Sequence, residues 1–375
     1  MKKEKNPRAA LRRWMLLPLF IFSLALCLLD FSGEERGIRS LRSPGTELSS
    51  AFTGVKQQAL DGIITIRKTY RLAPGTLAPA PDENGYGVAE TADEILALFE
   101  EAKLLLNGRE PLFSADTPFL SEYGIHYYYD ESILALVWCQ NIMEDDWEHF
   151  ATFSEVFLSD ASQFRRKLSD DVFGAGAHKF PTDMATEVNA VLASSGDFYR
   201  FRPLGMCVYD GVLYRLDTEK VDSCGVDENG DLIFIPAGTL QTEEEANAFI
   251  QEHHIDFTLS FGPIMIENHE PVYHSFYALG EANIRYPRCC LAQNGPLHYI
   301  EMVLKDYATV WGVTQMMMEL GVERCYALDG GQTGTIVMQG TALNPSIYGY
   351  GNGAQRVQSD IIYFASAIPE SERRN

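Results

Sequence analysis

The sequence predicts an α+β fold with a mixed, largely antiparallel β-sheet core, flanking helices and an N-terminal membrane anchor. The first observation is that short β-prone runs joined by hairpin turns dominate, with turns at Asp210-Gly211 and Glu228-Asn229-Gly230. The second is that these runs do not alternate regularly with helices, which argues against a parallel β-α-β sheet. The third is a basic stretch before an apolar run at the N-terminus, the pattern of a signal or anchor.

Composition and charge exclude several classes of protein. The chain has 375 residues, of which 46% are hydrophobic, and a net charge of -22. These values are typical of a globular protein with a sizeable core. An acidic chain lacks the basic face that nucleic-acid phosphates require, so we expect no nucleic acid as a partner. We interpret the excess of acid as a solvated surface.

The sequence lacks the motifs of cofactor and metal sites. It contains no P-loop and no dinucleotide fingerprint, and its cysteines do not show metal-ligand spacing. We therefore expect neither a cofactor nor a metal. Cys207 and Cys224 flank a predicted hairpin and are candidates for a disulfide in a domain outside the cell. The alternative is that both are buried free thiols.

The N-terminus predicts a position at the membrane. Residues 1–13 carry six basic side chains against one acidic side chain, and residues 14–29 are almost wholly apolar. A basic stretch before an apolar run of this length is typical of a secretory signal or signal anchor. We predict a single uncleaved anchor, with residues from about 32 onward outside the cytoplasm. The alternative is a secreted protein whose signal peptide is cleaved.

Composition and pattern divide the chain into five ranges. These are a cytoplasmic basic stretch and signal anchor (1–31), a linker (32–90), a helix and strand extension (91–146), the main domain (147–367) and a tail (368–375). Glycine, serine and proline in the second range indicate a linker. Thr91 and Glu94 supply a capping box for a helix over residues 91–107, in which apolar residues recur at helical spacing.

The most informative stretch is 326–338, in which a glycine-rich turn connects two β-prone runs. Asp329 stands where the first run ends, and Gly330 and Gly331 follow it. A carboxylate at the end of a buried strand is rigidly held yet can face a cleft. Glycines tolerate positive φ and let a ligand approach the backbone closely.

Two hydroxyl side chains, Thr333 and Thr335, follow these glycines. A carboxylate, bare amides and hydroxyls together suit a polyhydroxylated or phosphorylated ligand. The alternative is a glycine-rich hairpin in which Asp329 bonds only its own turn.

The same stretch carries a resemblance to a known family. Leu-Asp-Gly-Gly-Gln-Thr-Gly-Thr at 328–335 resembles the L-D-G-G-G-S-[ST]-T signature of the phosphodiester glycosidase family. Further segments resemble family elements in the same order along the chain, at 151–160, 194–199, 260–268, 286–292, 344–346 and 356–362. The resemblance covers residues 147–367. It implies a phosphodiester glycosidase-like domain on a sheet-rich fold, and therefore a hydrolase that acts on glycosyl bonds.

The resemblance also implies roles for individual residues. Asp329 and Asp197 are the expected catalytic carboxylates, one supporting the anomeric centre and the other orienting water or a hydroxyl. Arg288 is expected to bind the phosphate. The other candidates for substrate binding are Gly330, Gly331, Thr333, Thr335, Ser195 and Arg356. Alternatives stay open: Asp197 as a turn or cap residue, Arg288 as a structural partner of a carboxylate, and Arg356 in a surface ion pair.

Two classes of function follow. The first is an extracytoplasmic glycosidase that hydrolyses an N-acetylglucosamine-phosphate-like linkage in cell-envelope or exopolysaccharide glycans, with that sugar phosphate or glycan as its partner. The second is a non-catalytic carbohydrate-binding or envelope-assembly protein on the same fold. Gln332, which replaces the third glycine of the signature, and the Cys289-Cys290 pair beside Arg288 favour the second class.

Overall fold

The computed structural model describes residues 70–174, 179–197, 200, 203–274, 276–277, 280–345, 349 and 351–373. The predicted signal anchor and the linker up to residue 69 lie outside the described residues. Within the described ranges, no helix is long and apolar enough to cross a membrane.

Helices are few and strands are many. The helices are α1 (Ala92–Glu101), α2 (Lys103–Leu106), α3 (Pro181–Glu187), α4 (Glu243–His253) and α5 (Val310–Glu319). The first strands are β1 (Tyr86–Ala89), β2 (Ile125–Tyr129), β3 (Ile133–Glu144), β4 (Trp147–Leu158), β5 (Phe164–Leu168), β6 (Ala190–Ser195), β7 (Gly205–Tyr209), β8 (Val212–Asp217), β9 (Ser223–Val226), β10 (Leu232–Ile235) and β11 (Phe257–Leu259). The others are β12 (Ile264–Glu267), β13 (Glu270–Pro271), β14 (Phe276–Tyr277), β15 (Gly280–Glu281), β16 (Tyr286–Gln293), β17 (His298–Ala308), β18 (Arg324–Leu328), β19 (Ile336–Met338), β20 (Thr341–Ala342) and β21 (Asp360–Ala365).

Two sheets dominate the architecture. The larger has nine strands in the order β1-β2-β3-β4-β17-β16-β18-β12-β13, and the second has five in the order β20-β19-β6-β21-β5. Smaller sheets are formed by β10-β9-β11, β14-β15 and β7-β8. All strand pairs between described residues are antiparallel. The prediction of a sheet-rich, largely antiparallel α+β fold is therefore confirmed.

Strand β16 shows how both faces of the nine-stranded sheet are covered. Cys290 and Ala292 belong to an apolar cluster that includes side chains of α1 and α5. Cys289 and Leu291 belong to a second cluster, which includes side chains of the five-stranded sheet. Successive side chains of a strand point to opposite faces. Helices therefore cover one face of the large sheet, and the second sheet packs on the other.

A last layer covers the outer face of the five-stranded sheet. Met184 and Ala185 of α3 pack in one buried cluster with Ala193 of β6 and Ile361 of β21. Both faces of this sheet are thereby buried. Strands β19, β6 and β21 of this sheet consequently carry near-continuous apolar runs instead of a strict alternation.

Several predicted elements form as expected. The helix predicted over 91–107 forms as α1 and α2, and the Thr91 hydroxyl accepts a hydrogen bond from the Glu94 amide. The hairpin that turns at Asp210-Gly211 forms as β7 and β8. The apolar run at 188–193 is typical of a buried strand, but the strand forms at Ala190–Ser195, because α3 runs to Glu187 and Val188 caps it.

The cysteines of the described residues are free and buried. This group consists of Cys139, Cys207, Cys224, Cys289, Cys290 and Cys325. Of the two interpretations of Cys207 and Cys224, the structure agrees with buried thiols.

The strands before residue 147 continue the large sheet. β1, β2 and β3 add to the edge of the nine-stranded sheet next to β4, and β1 lies within the range predicted as a linker. The division of the chain into five ranges stays a prediction.

Candidate active site

The signature turn connects the two large sheets. β18 ends at Leu328 in the nine-stranded sheet, and β19 begins at Ile336 in the five-stranded sheet. A Cβ on Gly330 would lie 2.3 Å from the carbonyl oxygen of Pro287, and the Gly331 amide donates a hydrogen bond of 3.1 Å to that oxygen. Gly330 is therefore required by close packing against strand β16.

Gly331 is required for a different reason. Its φ is +69°, and no atom lies within 4 Å of the position that a Cβ would occupy. A left-handed φ favours glycine. The open space beside its Cα also leaves room for a ligand, as the sequence predicted for this turn.

Ser195, the last residue of β6, holds the turn in place. Its hydroxyl donates a hydrogen bond to the carbonyl oxygen of Thr333 and accepts one of 2.9 Å from the Thr335 amide. Gln358 Nε2 donates to the same Thr333 carbonyl at 2.7 Å. Ser195 and Gln358 are buried, so water does not compete for these bonds. The Thr333 hydroxyl in turn donates to the carbonyl oxygens of Asp329 and Gly330.

Asp197 and Asp360 lie side by side. The Asp197 amide donates to both carboxylate oxygens of Asp360, each at 3.1 Å, and Asp197 Oδ2 accepts a hydrogen bond of 2.7 Å from the Ser260 amide. Gly196 makes this approach possible, since a Cβ there would lie 2.2 Å from Asp360 Oδ2. The end of β6 and the start of β21 thus deliver two carboxylates to one point.

Arg166 on β5 neutralises this pair. Its Nε lies 2.7 Å from Asp360 Oδ2, and its Nη2 lies 3.6 Å from Asp197 Oδ2. The three side chains are buried. Burial disfavours the charged guanidinium, but the charges of Asp360 and Asp197 outweigh it and raise the pKa of Arg166 above its ordinary value. The network therefore keeps its cation at any physiological pH.

Asp329 has a different electrostatic environment. Burial raises its pKa to about 7, and the charges of Asp197 and Asp360 act in the same direction. The Thr333 hydroxyl and the charge of Arg356 oppose this rise in pKa. These influences place Asp197, Asp360 and Arg356 within electrostatic range of Asp329. As a whole residue, Asp329 is half-buried.

The two arginines predicted to bind substrate differ in placement. Arg356 is exposed and acts on the Asp329 carboxyl group. Arg288 is buried, and its guanidinium donates to the carbonyl oxygens of Ala308 at 3.0 Å and Ile284 at 2.6 Å. Of the two arginines, Arg356 is therefore the one whose charge acts on Asp329. The role of Arg288 as a phosphate ligand stays a prediction.

A buried glutamate ties the two sheets together behind the site. Glu301 on β17 accepts hydrogen bonds from Ser154 of β4 at 2.7 Å and from Ser194 of β6. Burial raises the pKa of Glu301 to about 7, while the two serine hydroxyls oppose that rise. Ser194 immediately precedes Ser195, so this bridge fixes the end of β6 that delivers Asp197.

The structure brings most of the predicted site residues together. Gly330, Gly331, Thr333 and Thr335 form the turn after Asp329, and Ser195, Asp197 and Arg356 approach it from the five-stranded sheet and the segment before β21. Their chemical roles stay predictions. Phe198, Tyr199 and Ser346, which belong to resembling segments, lie outside the described residues. Among the residues that are described, no group of three or more His, Cys, Asp or Glu side chains is placed to hold a metal ion.

Sequence reasoning missed Arg166, Asp360 and Gln358. Arg166 lies in the run Arg165-Arg166-Lys167, which looks like an exposed charged strand. The signal that could have identified Asp360 is its place beside a wholly apolar run, 361–365, as Asp329 stands beside 325–328. The partner that buries Arg166 lies 194 positions away, so one sequence does not reveal it.

Comparison with known proteins gives one family match and several similar folds. Residues 188–364 match the model of a family described as phosphodiester glycosidase. The catalytic domain of zebrafish N-acetylglucosamine-1-phosphodiester alpha-N-acetylglucosaminidase, auto-inhibited by its pro-peptide, is similar with a TM-score of 0.50 and 15% identity, over 63% of this chain and 84% of that one. At this identity the similarity shows the fold alone.

A hypothetical protein from Synechocystis is similar with a TM-score of 0.45 and 13% identity, over 66% of this chain and 64% of that one. No curated protein sequence shows significant similarity to this chain. The resemblance found in the sequence is confirmed by the family match. Residues 188–364 are thus similar to phosphodiester glycosidase domains, which are hydrolases that act on glycosyl bonds.

Proposed function

We propose that this protein hydrolyses a sugar-1-phosphodiester and releases the sugar from its phosphate. The observation that supports this reaction best is the environment of Asp329. Its carboxyl group stands in the signature turn with a pKa raised to about 7, in range of two further carboxylates and of the exposed Arg356. A carboxyl group that titrates near neutrality can both donate and accept a proton at the pH of most cells.

Cleavage at an anomeric carbon passes through an oxocarbenium-like state, which most glycosidases stabilise with two carboxyl groups. Asp329 orients and activates the attacking water or hydroxyl. Asp197 is held by the Ser260 amide and Arg166, so it supplies a fixed negative charge that supports the positive anomeric centre. The different surroundings of Asp329 and Asp197 thus suit these two carboxyl groups to different roles in the reaction.

The phosphate leaving group gives a reason for an arginine at the site. The phosphate monoester that departs from the anomeric carbon needs less protonation than an alkoxide would, so a cation that neutralises it replaces part of the work of a general acid. Arg356 is exposed and acts electrostatically on Asp329, which suits it to this task. Because the Gly331 amide already bonds Pro287, Gly331 contributes the open face of its Cα to substrate binding.

We further infer that the substrate lies outside the cytoplasm, as an N-acetylglucosamine-phosphate-like linkage in a cell-envelope or exopolysaccharide glycan. The support is the basic stretch followed by an apolar run at residues 1–29. Anchoring of the chain by this segment and secretion after its cleavage would both place the domain there.

The test of the reaction is turnover of sugar-1-phosphodiesters by wild type and by Asp329→Asn. The wild type is incubated with α-N-acetylglucosaminyl phosphodiesters and with UDP-N-acetylglucosamine, and released sugar is measured. Loss of the carboxyl group should lower kcat about 100-fold or more, the range typical of acid–base catalysis. Asp116→Asn, at an exposed aspartate, is the matched control. Near-native turnover by Asp329→Asn would contradict the catalytic role proposed for Asp329.

The second candidate is a non-catalytic carbohydrate-binding or envelope-assembly protein. Gln332 in the signature turn favours it. The cysteine pair does not, because Cys289 and Cys290 are buried in the two apolar clusters and affect packing. Saturable binding of a glycan phosphate without release of sugar by the wild type would select this second function.

A further inference from the structure

Glu301 is an ionisable side chain in the apolar layer between the two large sheets. Tyr299 and Val303, its neighbours on the same face of β17, belong to the apolar cluster that fills this layer. Glu301 itself is only 1% exposed. A buried carboxyl group costs free energy unless it is hydrogen-bonded, and apolar groups of the same shape are often equally stable. Stability alone therefore gives no reason for a glutamate at this position.

The two oxygens of this carboxyl group have partners in different sheets. Oε2 accepts a hydrogen bond of 2.7 Å from Ser154 of β4, which lies directly opposite Glu301 in the nine-stranded sheet. Oε1 accepts a hydrogen bond from Ser194 of β6, in the five-stranded sheet. Both serines are buried, so water does not compete for these bonds. Glu301 thus connects the sheet that carries Asp329 with the strand that leads to Asp197.

Ser194 stands next to the contacts that hold the signature turn. The hydroxyl of the following residue, Ser195, accepts a hydrogen bond of 2.9 Å from the Thr335 amide. The Ser195 amide in turn donates to the Thr335 carbonyl oxygen at 3.1 Å. Asp197 follows two residues later in the chain. A shift of Ser194 away from Glu301 would therefore move both the signature turn and Asp197.

The Cys289 thiol also connects Glu301 with the signature turn. Burial raises the pKa of this thiol, and the charges of Cys290, Glu301 and Asp329 act in the same direction. The carboxyl groups of Glu301 and Asp329 are therefore both within electrostatic range of one thiol. A Cβ on Gly334, within the turn, would lie 3.9 Å from the Cβ of Cys289. Cys289 thus packs against the turn, and Glu301 lies near it.

We propose that Glu301 is a positioning residue for the reaction at Asp329. It holds Ser194, and with it the end of β6, so that the signature turn and Asp197 keep the separation that cleavage requires. The bond from Ser154 only orients the carboxyl group within its own sheet. This inference rests on the proposed function for the cleavage step, whereas the hold on the turn can be tested without turnover.

Ser154→Ala and Ser194→Ala form a matched pair, because each removes one hydroxyl group from the same buried carboxyl group. Both should lower Tm by a similar amount. On an α-N-acetylglucosaminyl phosphodiester, Ser194→Ala should lower kcat at least tenfold and change KM less than threefold. Ser154→Ala should keep both values within threefold of wild type. A role in stability alone predicts equal kcat for the two variants, and that result would overturn the inference.

Replacement of Glu301 itself separates hydrogen bonding from packing. The amide of Glu301→Gln can accept from one serine and donate to the other, so this variant should retain at least a third of the wild-type kcat. Glu301→Met has a similar shape without an oxygen acceptor, so it should fold but lose kcat at least tenfold. Wild-type kcat for Glu301→Met would contradict the positioning role.

Amide hydrogen exchange tests the hold on the turn without turnover. The Thr335 amide, which bonds to Ser195, should exchange at least tenfold faster in Ser194→Ala than in wild type, and at the wild-type rate in Ser154→Ala. If wild type cleaves no phosphodiester but this difference appears, the proposed reaction is wrong and the hold on the turn stands. If the Thr335 amide exchanges equally fast in wild type and Ser194→Ala, the inference is overturned.

Discussion

The site contains three aspartates, Asp197, Asp329 and Asp360, whose side chains are identical but whose surroundings differ. Asp360 is buried against Arg166, which opposes the rise that burial causes in its pKa. Asp197 is tied to the Ser260 amide and stands farther from the same guanidinium. Asp329 lies in range of Arg356, which is exposed, and burial raises its pKa to about 7. Burial, which raises the pKa, and a nearby cation, which lowers it, therefore act together on these carboxyl groups.

The raised pKa of Asp329 makes a prediction about stability and pH. In the unfolded chain an aspartate has a pKa of about 4, whereas in the folded protein this one titrates at about 7. Between these values the folded state binds more protons than the unfolded state, so this residue lowers stability as pH rises. Asp329→Asn should match the Tm of wild type at pH 4 and exceed it at pH 8, with the difference developing between pH 4 and 7.

Thermal unfolding across this pH range checks the prediction. Asp116→Asn, at an exposed position, should show the same pH dependence as wild type. A Tm of Asp329→Asn below that of wild type at pH 8 would contradict the assigned environment.

Some residues of the site have partners nearby in the sequence, and others have partners far away in it. This distance decides which of them could be predicted. Asp329, Gly330 and Thr333 lie within one turn, so their grouping could be predicted from spacing. Arg166 could not, because a run of three basic residues is typical of an exposed strand and its partners Asp197 and Asp360 come from other strands. Gln358 acts through its contact with Thr333, 25 positions away. A contact between strands leaves no periodic pattern in either one.

The signature turn acts as a unit that links β18 to β19. Pro287 on β16, Ser195 on β6 and Gln358 before β21 each bond its backbone. Hydrogen bonds with three separate segments of the chain thus hold the backbone of the turn. This rigidity suits a carboxyl group that must keep its position during a reaction.

Gly330 is the position where this turn is most sensitive to side-chain size. Gly330→Ala places a Cβ 2.3 Å from a backbone carbonyl that cannot rotate away. It should lower the free energy of unfolding by about 1–3 kcal/mol, as overpacking does elsewhere. Because the backbone must shift beside Asp329, kcat/KM should also fall at least tenfold.

Chemical denaturation and turnover measure the two effects. The matched control is Gly353→Ala, where no atom lies within 4 Å of the new Cβ. The steric account fails if Gly330→Ala is as stable and active as Gly353→Ala.

Element types could be predicted well from the sequence, and their bounds less well. The capped helix after Thr91 and the hairpin at Asp210-Gly211 carry local signals and form as expected. The strand before Asp197 is displaced by two residues because α3, which was not predicted, occupies the chain up to Glu187. A short helix that starts at a proline and is stabilised by packing on a sheet shows little periodicity of its own.

The order of strands in the whole molecule lies beyond what the sequence reveals. β4 pairs with β17, and β18 lies between β16 and β12, so neighbours in the sheet are often far apart in the chain. Which two sheets would face each other was equally hidden, because the contacts between them, such as that of Glu301 with Ser194, join residues far apart in the chain. The resemblance to a family supplied the fold class and left these pairings open.

The proposed position of the whole molecule relative to the membrane makes a prediction of its own. In cells that produce the full chain, a protease added from outside after removal of any wall should digest the domain. A version that lacks residues 1–31 should remain protected in the cytoplasm, because it has lost the basic and apolar signal.

A cytoplasmic marker protein must stay intact in both samples. Equal protection of the full chain and the shortened chain would show that the domain is not exported.

The carboxyl groups of the candidate site are divided between the two large sheets. Asp329 ends a strand of the nine-stranded sheet, whereas Asp197 and Asp360 belong to strand ends of the five-stranded sheet. A folding intermediate in which only one sheet has formed therefore lacks some of these carboxyl groups and should be inactive. In a refolding mixture, the time that passes before turnover begins would then report when the two sheets dock. Enzymatic activity would thus measure the rate of the last packing step.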